Sequence, residues 1–131
     1  MGIQLSEAVS ALVDAPNYAT LCTLNADGSP QSSAMWIGLD GNDLVFSTVA
    51  GRLKERNIRR DPRVSITIMV RDDPEMYAEI RGRATIVEEG GRELDDTLSW
   101  KYDGKPAGHD APGAVRVVVR VVPEKVTGYI K

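Results

Sequence analysis

Ser47–Ile68 reads STVAGRLKERNIRRDPRVSITI. The order of residue types is strand end, glycine turn, short helix, stop and new strand. The short helix follows the turn at Gly51, and Asp61-Pro62 ends it because a residue before proline disfavours helical dihedrals. Val64, Ile66 and Ile68 then alternate with Ser65 and Thr67, the period of a strand. The helix is basic: Arg52, Lys54, Arg56, Arg59, Arg60 and Arg63 face only Glu55 and Asp61, and no Lys or Arg precedes Arg52. Ser47, Thr48 and the backbone at Gly51 add uncharged donors just before it. A helix N-terminus beside hydroxyls, Arg and Lys suits a phosphate. A solvated basic face that binds nothing accounts for the same charge run.

Upstream, Leu5, Val9, Leu12 and Val13 recur at helical spacing and predict a helix over Ile3–Val13, ended by Pro16-Asn17. Tyr18–Leu24 and Gln31–Leu39 read as strands joined by the turn Asn25-Ala26-Asp27-Gly28. Asp40-Gly41-Asn42-Asp43 turns the chain again into Leu44–Val49, giving a three-strand antiparallel meander. Downstream, Arg71–Glu75 reads as a turn. Met76–Val87 has the clearest period of two, with Met76, Ala78, Ile80, Gly82, Ala84 and Ile86 on one face, and Gly82 marks a bend or bulge. Gly90–Tyr102 is a helix candidate with Leu94, Leu98 and Trp100 inward. Asp103–Gly113, DGKPAGHDAPG, is a loop whose composition suits a mobile lid. Val115–Val122 alternates valines with Arg116 and Arg120, and its mixed face suggests contact with another chain or a ligand. After Pro123 the strand resumes over Lys125–Ile130. Six antiparallel strands with small helices and no βαβ alternation point to a closed or split β-barrel, one domain over residues 1–131.

Composition narrows the function. Hydrophobic residues make up 42% of the 131, enough for a real core. A net charge of -3 argues against general nucleic-acid binding. No apolar run reaches membrane-spanning length and no signal peptide is evident, which with the single Cys22 suits a reducing cytoplasm. There is no P-loop, GxGxxG, CxxC or HExxH. His109, the only histidine, sits in the Gly/Pro loop, so neither a catalytic triad nor a metal site has support, and no side chain stands out as a catalytic acid or base. Asp95-Asp96 and Glu88-Glu89 read as exposed acids, and Trp36 and Trp100 as core residues. Any redox chemistry would then be a cofactor's.

YATLCTLNADGSPQSSAMW, LVFSTVAGRLKERNIRRDPRVSI, EIRGRATI and VRVVVRVVPEKVTGY, taken in order, resemble the pyridoxamine 5′-phosphate oxidase-like split-barrel superfamily. Within it they are most similar to the actinobacterial oxidoreductases dependent on the deazaflavin coenzyme F420, the FDOR-B group. The similarity covers nearly the whole chain, and Arg52–Ser65 is its most specific part. It implies a six-stranded split β-barrel and a homodimer with cofactor sites at the subunit interface. It implies Arg52 and Lys54 on the cofactor phosphate with Ser47 and Thr48 nearby, and Ser33, Met35 and Trp36 along the tricyclic ring. Arg60 is implied at the phosphate or the acidic tail. The chain stops at Lys131 without the Arg/His-bearing extension of true pyridoxamine phosphate oxidases, which points away from pyridoxal phosphate synthesis, and a haem role lacks an axial histidine. The implied activity is hydride transfer from reduced F420 to a small unsaturated acceptor of enone or quinone type. A non-catalytic F420-binding or storage protein and an FMN-dependent reductase are the alternatives.

Overall fold

The computed structural model describes residues 2–131. Helix α1 spans Glu7–Asp14 and is capped by Ser6, whose Oγ accepts from Val9 N at 3.2 Å. Strands follow at Ala19–Leu24 (β1), Pro30–Met35 (β2), Gly38–Asp40 (β3) and Asp43–Val49 (β4). Helix α2 covers Leu53–Arg60, β5 Arg63–Val70, β6 Asp73–Val87, α3 Gly91–Asp103 and β7 Arg116–Gly128.

All seven strands belong to one antiparallel sheet in the order β2-β1-β5-β6-β7-β4-β3. The expected six strands become seven because Gln31–Leu39 is not one strand. Trp36 and Ile37 interrupt it, and its two halves pair with different partners: β2 with β1, β3 with β4. The first three expected strands are therefore not a meander. β2 and β3 occupy opposite edges of the sheet, yet only two residues join them. Three peptide units reach at most about 11 Å. A sheet of seven strands spaced about 4.8 Å apart meets that limit only by curling until its edges come together. The edges meet without pairing, which makes the barrel split.

The interior is filled by alternating residues of these strands, with Leu21, Ile37, Leu44, Phe46, Ile66, Ile68, Ile80, Val119 and Val121 fully buried. Val9, Leu12 and Val13 of α1 join the same cluster. β6 starts earlier than expected, at Asp73, and Met76 is exposed. β7 runs unbroken through Pro123 because the register shifts between Arg81 and Gly82, opposite Lys125 and Pro123. A proline that cannot donate is tolerated at such an irregularity. A Cβ on Gly82 would lie 2.2 Å from the Val122 carbonyl oxygen, so only glycine fits where the two strands bend together.

α3 turns Leu98 and Tyr102 inward, one helical turn apart, and Leu94 lies one turn before them. Trp100 falls off that stripe and is 54% exposed, contrary to the expected inward packing. The mixed face of β7 is mostly taken up within the chain: Val118 is buried and Arg120 pairs with Asp40 and Asp43. No described helix is long and apolar enough to cross a membrane.

Replacing Gly82 by Ala should cost about 1–3 kcal/mol, because a backbone oxygen must move. Trp100→Ala should stay within about 0.5 kcal/mol. Urea denaturation of both variants checks the contrast, and equal effects would contradict this packing.

Candidate functional site

Helix α2 is held by the few side chains on it that are not basic. Gly51, with φ 98°, turns the chain out of β4. Glu55 is buried, accepts from Gly51 N at 2.8 Å and pairs with Arg59, which also reaches Glu88 at 2.8 Å. Asn57, also buried, donates to Thr23 Oγ1 and Asn25 Oδ1, both at 3.0 Å. Arg60 donates to Asn57 Oδ1 at 3.1 Å and to the Leu24 carbonyl, while Arg63 binds Asp61. Half of the basic run is thus engaged: Arg60 ties the helix to β1, Arg59 to Glu55 and Glu88, and Arg63 to Asp61 just past the helix end. Arg52, Lys54 and Arg56 form no salt bridge among the described residues.

Two of those three free cations face one cavity of about 390 Å³, within the size range of small-molecule sites. Its polar side is Ser47, Arg52, Lys54, Asp95 and Arg116; its other side is Tyr18, Ala34, Met35 and Trp36. Arg52 is the N-cap of α2, with no side-chain capping bond. The first amides of the helix consequently keep free donors beside the two cations. Burial, then the adjacent Arg52 charge, pulls the Lys54 ammonium below its usual pKa. An anion placed here would relieve that repulsion.

The aromatic side is a stack of three rings. Trp36 lies 5.6 Å from Tyr102 at 7°, and Tyr102 lies 5.2 Å from Tyr18 at 27°. Arg71 caps the stack, 4.7 Å above the Tyr18 ring, and donates to its hydroxyl at 2.7 Å. Tyr102 is buried and donates to the Asn17 carbonyl at 2.6 Å while accepting from Ile37 N at 3.2 Å. Burial pushes its phenol pKa up.

Met35, Trp36, Ser47, Arg52 and Lys54 therefore meet at one cavity. Thr48 does not line it: alternation along β4 turns its side chain to the interior, where Oγ1 is buried without a partner. Ser33 Oγ, on β2, is likewise buried and unpartnered. Arg60 lies on the other flank of α2, in a groove of about 520 Å³ with Asn25, Asp27 and Arg56. That groove is larger but lacks an aromatic wall. His109 is exposed in the loop, and no described group of three His, Cys, Asp or Glu side chains is placed to hold a metal.

Nothing in the sequence pointed to Tyr18 at the site, and Asp95 read as an exposed acid, whereas Arg116 stood out only as part of a mixed strand face. A usable signal was Gly90-Gly91. A Cβ on Gly91 would lie 2.4 Å from the Arg116 backbone, so α3 begins in contact with β7 and carries Asp95 over it. Ser47 Oγ donates to the Gly91 carbonyl at 2.6 Å, closing the same corner. The loop after α3 is anchored at two points: Arg116 donates to Asp110 at 2.7 and 2.9 Å, and Ala107 N donates to Asp96 at 2.9 Å.

Residues 5–129 match the pyridoxamine 5′-phosphate oxidase family. Among solved structures, an F420 reductase superposes with a TM-score of 0.83 at 34% identity, over 94% of this chain and 98% of that one. A conserved hypothetical protein from Mycobacterium tuberculosis gives 0.75 at 29% identity, over 95% and 84%. A provisionally assigned pyridoxamine 5′-phosphate oxidase from Listeria innocua gives 0.70 at 25%, over 91% and 93%.

Tyr102→Phe should leave the Ile37 amide and Asn17 carbonyl short of a partner, at about 1–3 kcal/mol. Thermal unfolding should show the loss, and near-ultraviolet circular dichroism should show the aromatic stack loosened.

Proposed function

The chain belongs to the pyridoxamine 5′-phosphate oxidase family, and from that premise we propose that it is an F420-dependent oxidoreductase reducing a small unsaturated acceptor of enone or quinone type. The observation that carries this reading is the cavity in which two cations that form no salt bridge among the described residues, Arg52 and Lys54, sit opposite the aromatic wall of Trp36 and Tyr18. The residues fit a flavin-like group with a phosphate. Charge-assisted bonds from Arg52 and Lys54 would hold the phosphate, with the free amides of α2 behind them. The buried, unpartnered hydroxyls of Ser33 and Thr48 lie on β2 and β4, two of the three strands that line the cavity. When bound, the deazaflavin supplies the hydride.

The chain's own contribution is positioning and exclusion of water. Met35 and Trp36 offer flat apolar surface, and Tyr102 stacks behind Trp36 to keep it in place. Ser47 has given its hydroxyl hydrogen to Gly91, whereas Tyr18 only accepts from Arg71. The Tyr18 phenol is thus the hydroxyl on the wall whose hydrogen is uncommitted, and it or solvent would provide the proton.

F420 should bind more tightly than FMN in fluorescence titrations. Arg52→Ala and Lys54→Ala should each weaken F420 about tenfold to a hundredfold, with unchanged circular dichroism, since each charge-assisted bond contributes about 1.5–3 kcal/mol. Unchanged affinity in both variants would leave the basic helix a solvated face. Tight FMN binding with turnover would favour an FMN reductase, and binding of F420 without turnover on a panel of enones and quinones would favour a carrier.

We propose further that the protein works as a cytoplasmic homodimer. The edges of β2 and β3 are unpaired, and Tyr18, Met69, Met76, Val122 and Tyr129 expose apolar surface. A second copy would cover such surface and give the open cavity another wall. Light scattering should give twice the 14.3 kDa chain mass at micromolar concentration, and a monomer there would overturn this.

A further inference from the structure

The cavity contains more cationic side chains than available positive charge. Arg52, Lys54 and Arg116 line it, but Arg116 is already occupied. Asp110 takes its Nε and Nη2 at 2.7 and 2.9 Å, and Asp95 takes Nη1 at 3.2 Å. Both carboxylates are largely covered, at 14% and 12% side-chain exposure. Asp110 is shared with Arg92, at 3.2 Å, so the two carboxylates offset Arg116 and leave Arg52 and Lys54 as the cavity's cations without a salt bridge among the described residues. Asp95 is the one acidic residue among those lining the cavity, so any anion that enters meets its charge.

We propose that Asp95, together with Asp110 on Arg116, sets which phosphate ester the cavity accepts, favouring a singly charged phosphodiester over a doubly charged phosphomonoester. The inference rests on reading the cavity as a cofactor-phosphate site. The phosphate of F420 is a diester, and that of FMN is a monoester whose second ionisation near pH 6 makes it a dianion. Coulomb energy is proportional to the product of the charges, so Asp95 opposes a dianion twice as strongly as a monoanion. Arg116 alone would strengthen the site for both esters; the two carboxylates restrain it.

Asp95 is a weaker partner to Arg116 than Asp110 is, with one contact against two, so clamping Arg116 is not its whole role. Burial pushes its carboxyl pKa up, and the nearby Asp110 charge adds to that push against the pull of Arg116. The place of Asp95 is set by backbone, through the contact of Gly91 with Arg116, which holds the start of α3 against β7.

The test is the affinity of riboflavin, F420 and FMN for the wild type, Asp95→Asn and Asp95→Glu, by fluorescence titration at pH 8. Because the electrostatic effect of Asp95 scales with the charge of the phosphate beside it, a gain of about threefold for the phosphodiester implies about tenfold for the dianion and none for riboflavin, which has no phosphate. Asp95→Glu should keep the wild-type ratio of F420 to FMN affinity. An unchanged ratio in Asp95→Asn, or an equal gain for riboflavin, would overturn the inference while leaving the cofactor reading intact. If the wild type binds neither phosphate compound, the cofactor reading fails and this one with it. Should Asp95→Asn fail to fold, Asp110→Asn removes one charge from the same guanidinium and should shift the ratio in the same direction; no shift would overturn the inference.

Discussion

The two-residue link Trp36-Ile37 is the constraint from which the rest of the molecule follows. It joins the opposite edges of one sheet, so the sheet must curl, and the seam where the edges meet falls at this link. Irregular backbone at a seam leaves groups without ladder partners, and buried groups of that kind need others. Here α3 supplies them. Lys101 Nζ donates to the Ile37 carbonyl at 2.6 Å and to the Val13 carbonyl at 2.8 Å, and Tyr102 takes the Ile37 amide. The last turn of α3 therefore fastens the seam, α1 and the segment before β1 together. The same fastening stacks Tyr102 between Trp36 and Tyr18, which is how a requirement of barrel closure produces an aromatic wall.

The opposite wall shows a similar economy with charge. A basic helix left to itself would be a solvated face, and most surface ion pairs add little stability. In this chain the helical cations divide by position. Those on the side of β1 and β6 meet Glu55, Asn57, Glu88 or a carbonyl oxygen, and they set the helix in place. Those at the first turn, Arg52 and Lys54, form no salt bridge among the described residues and face the aromatic wall instead. Arg116 reaches the same cavity from β7 but arrives already balanced by Asp95 and Asp110. The field in the cavity is thus the outcome of three elements rather than of one helix.

Elements under local control could be read directly from the residues. Period-two alternation in Ser65–Ile68 and Met76–Val87, the Asp61-Pro62 stop, the basic turn after Gly51 and the bend at Gly82 all follow from one residue and its near neighbours. The similarity carried by Arg52–Ser65 pointed to the family for the same reason, since contiguous residues hold the motif. Partner choice was not local. Gln31–Leu39 has the composition of one strand, and only competition for edges across the whole sheet splits it into β2 and β3. The inward stripe of α3 had to be chosen between Leu98 with Tyr102 and Trp100, which only the surface beneath the helix decides. Asp95 and Arg116, far apart in sequence, became neighbours because Gly91 lets backbone meet backbone, a contact with no periodic signature. Short-range order lies in the residues themselves, while closure, pairing and the charge balance of the cavity depend on which distant surfaces the closed barrel brings into contact.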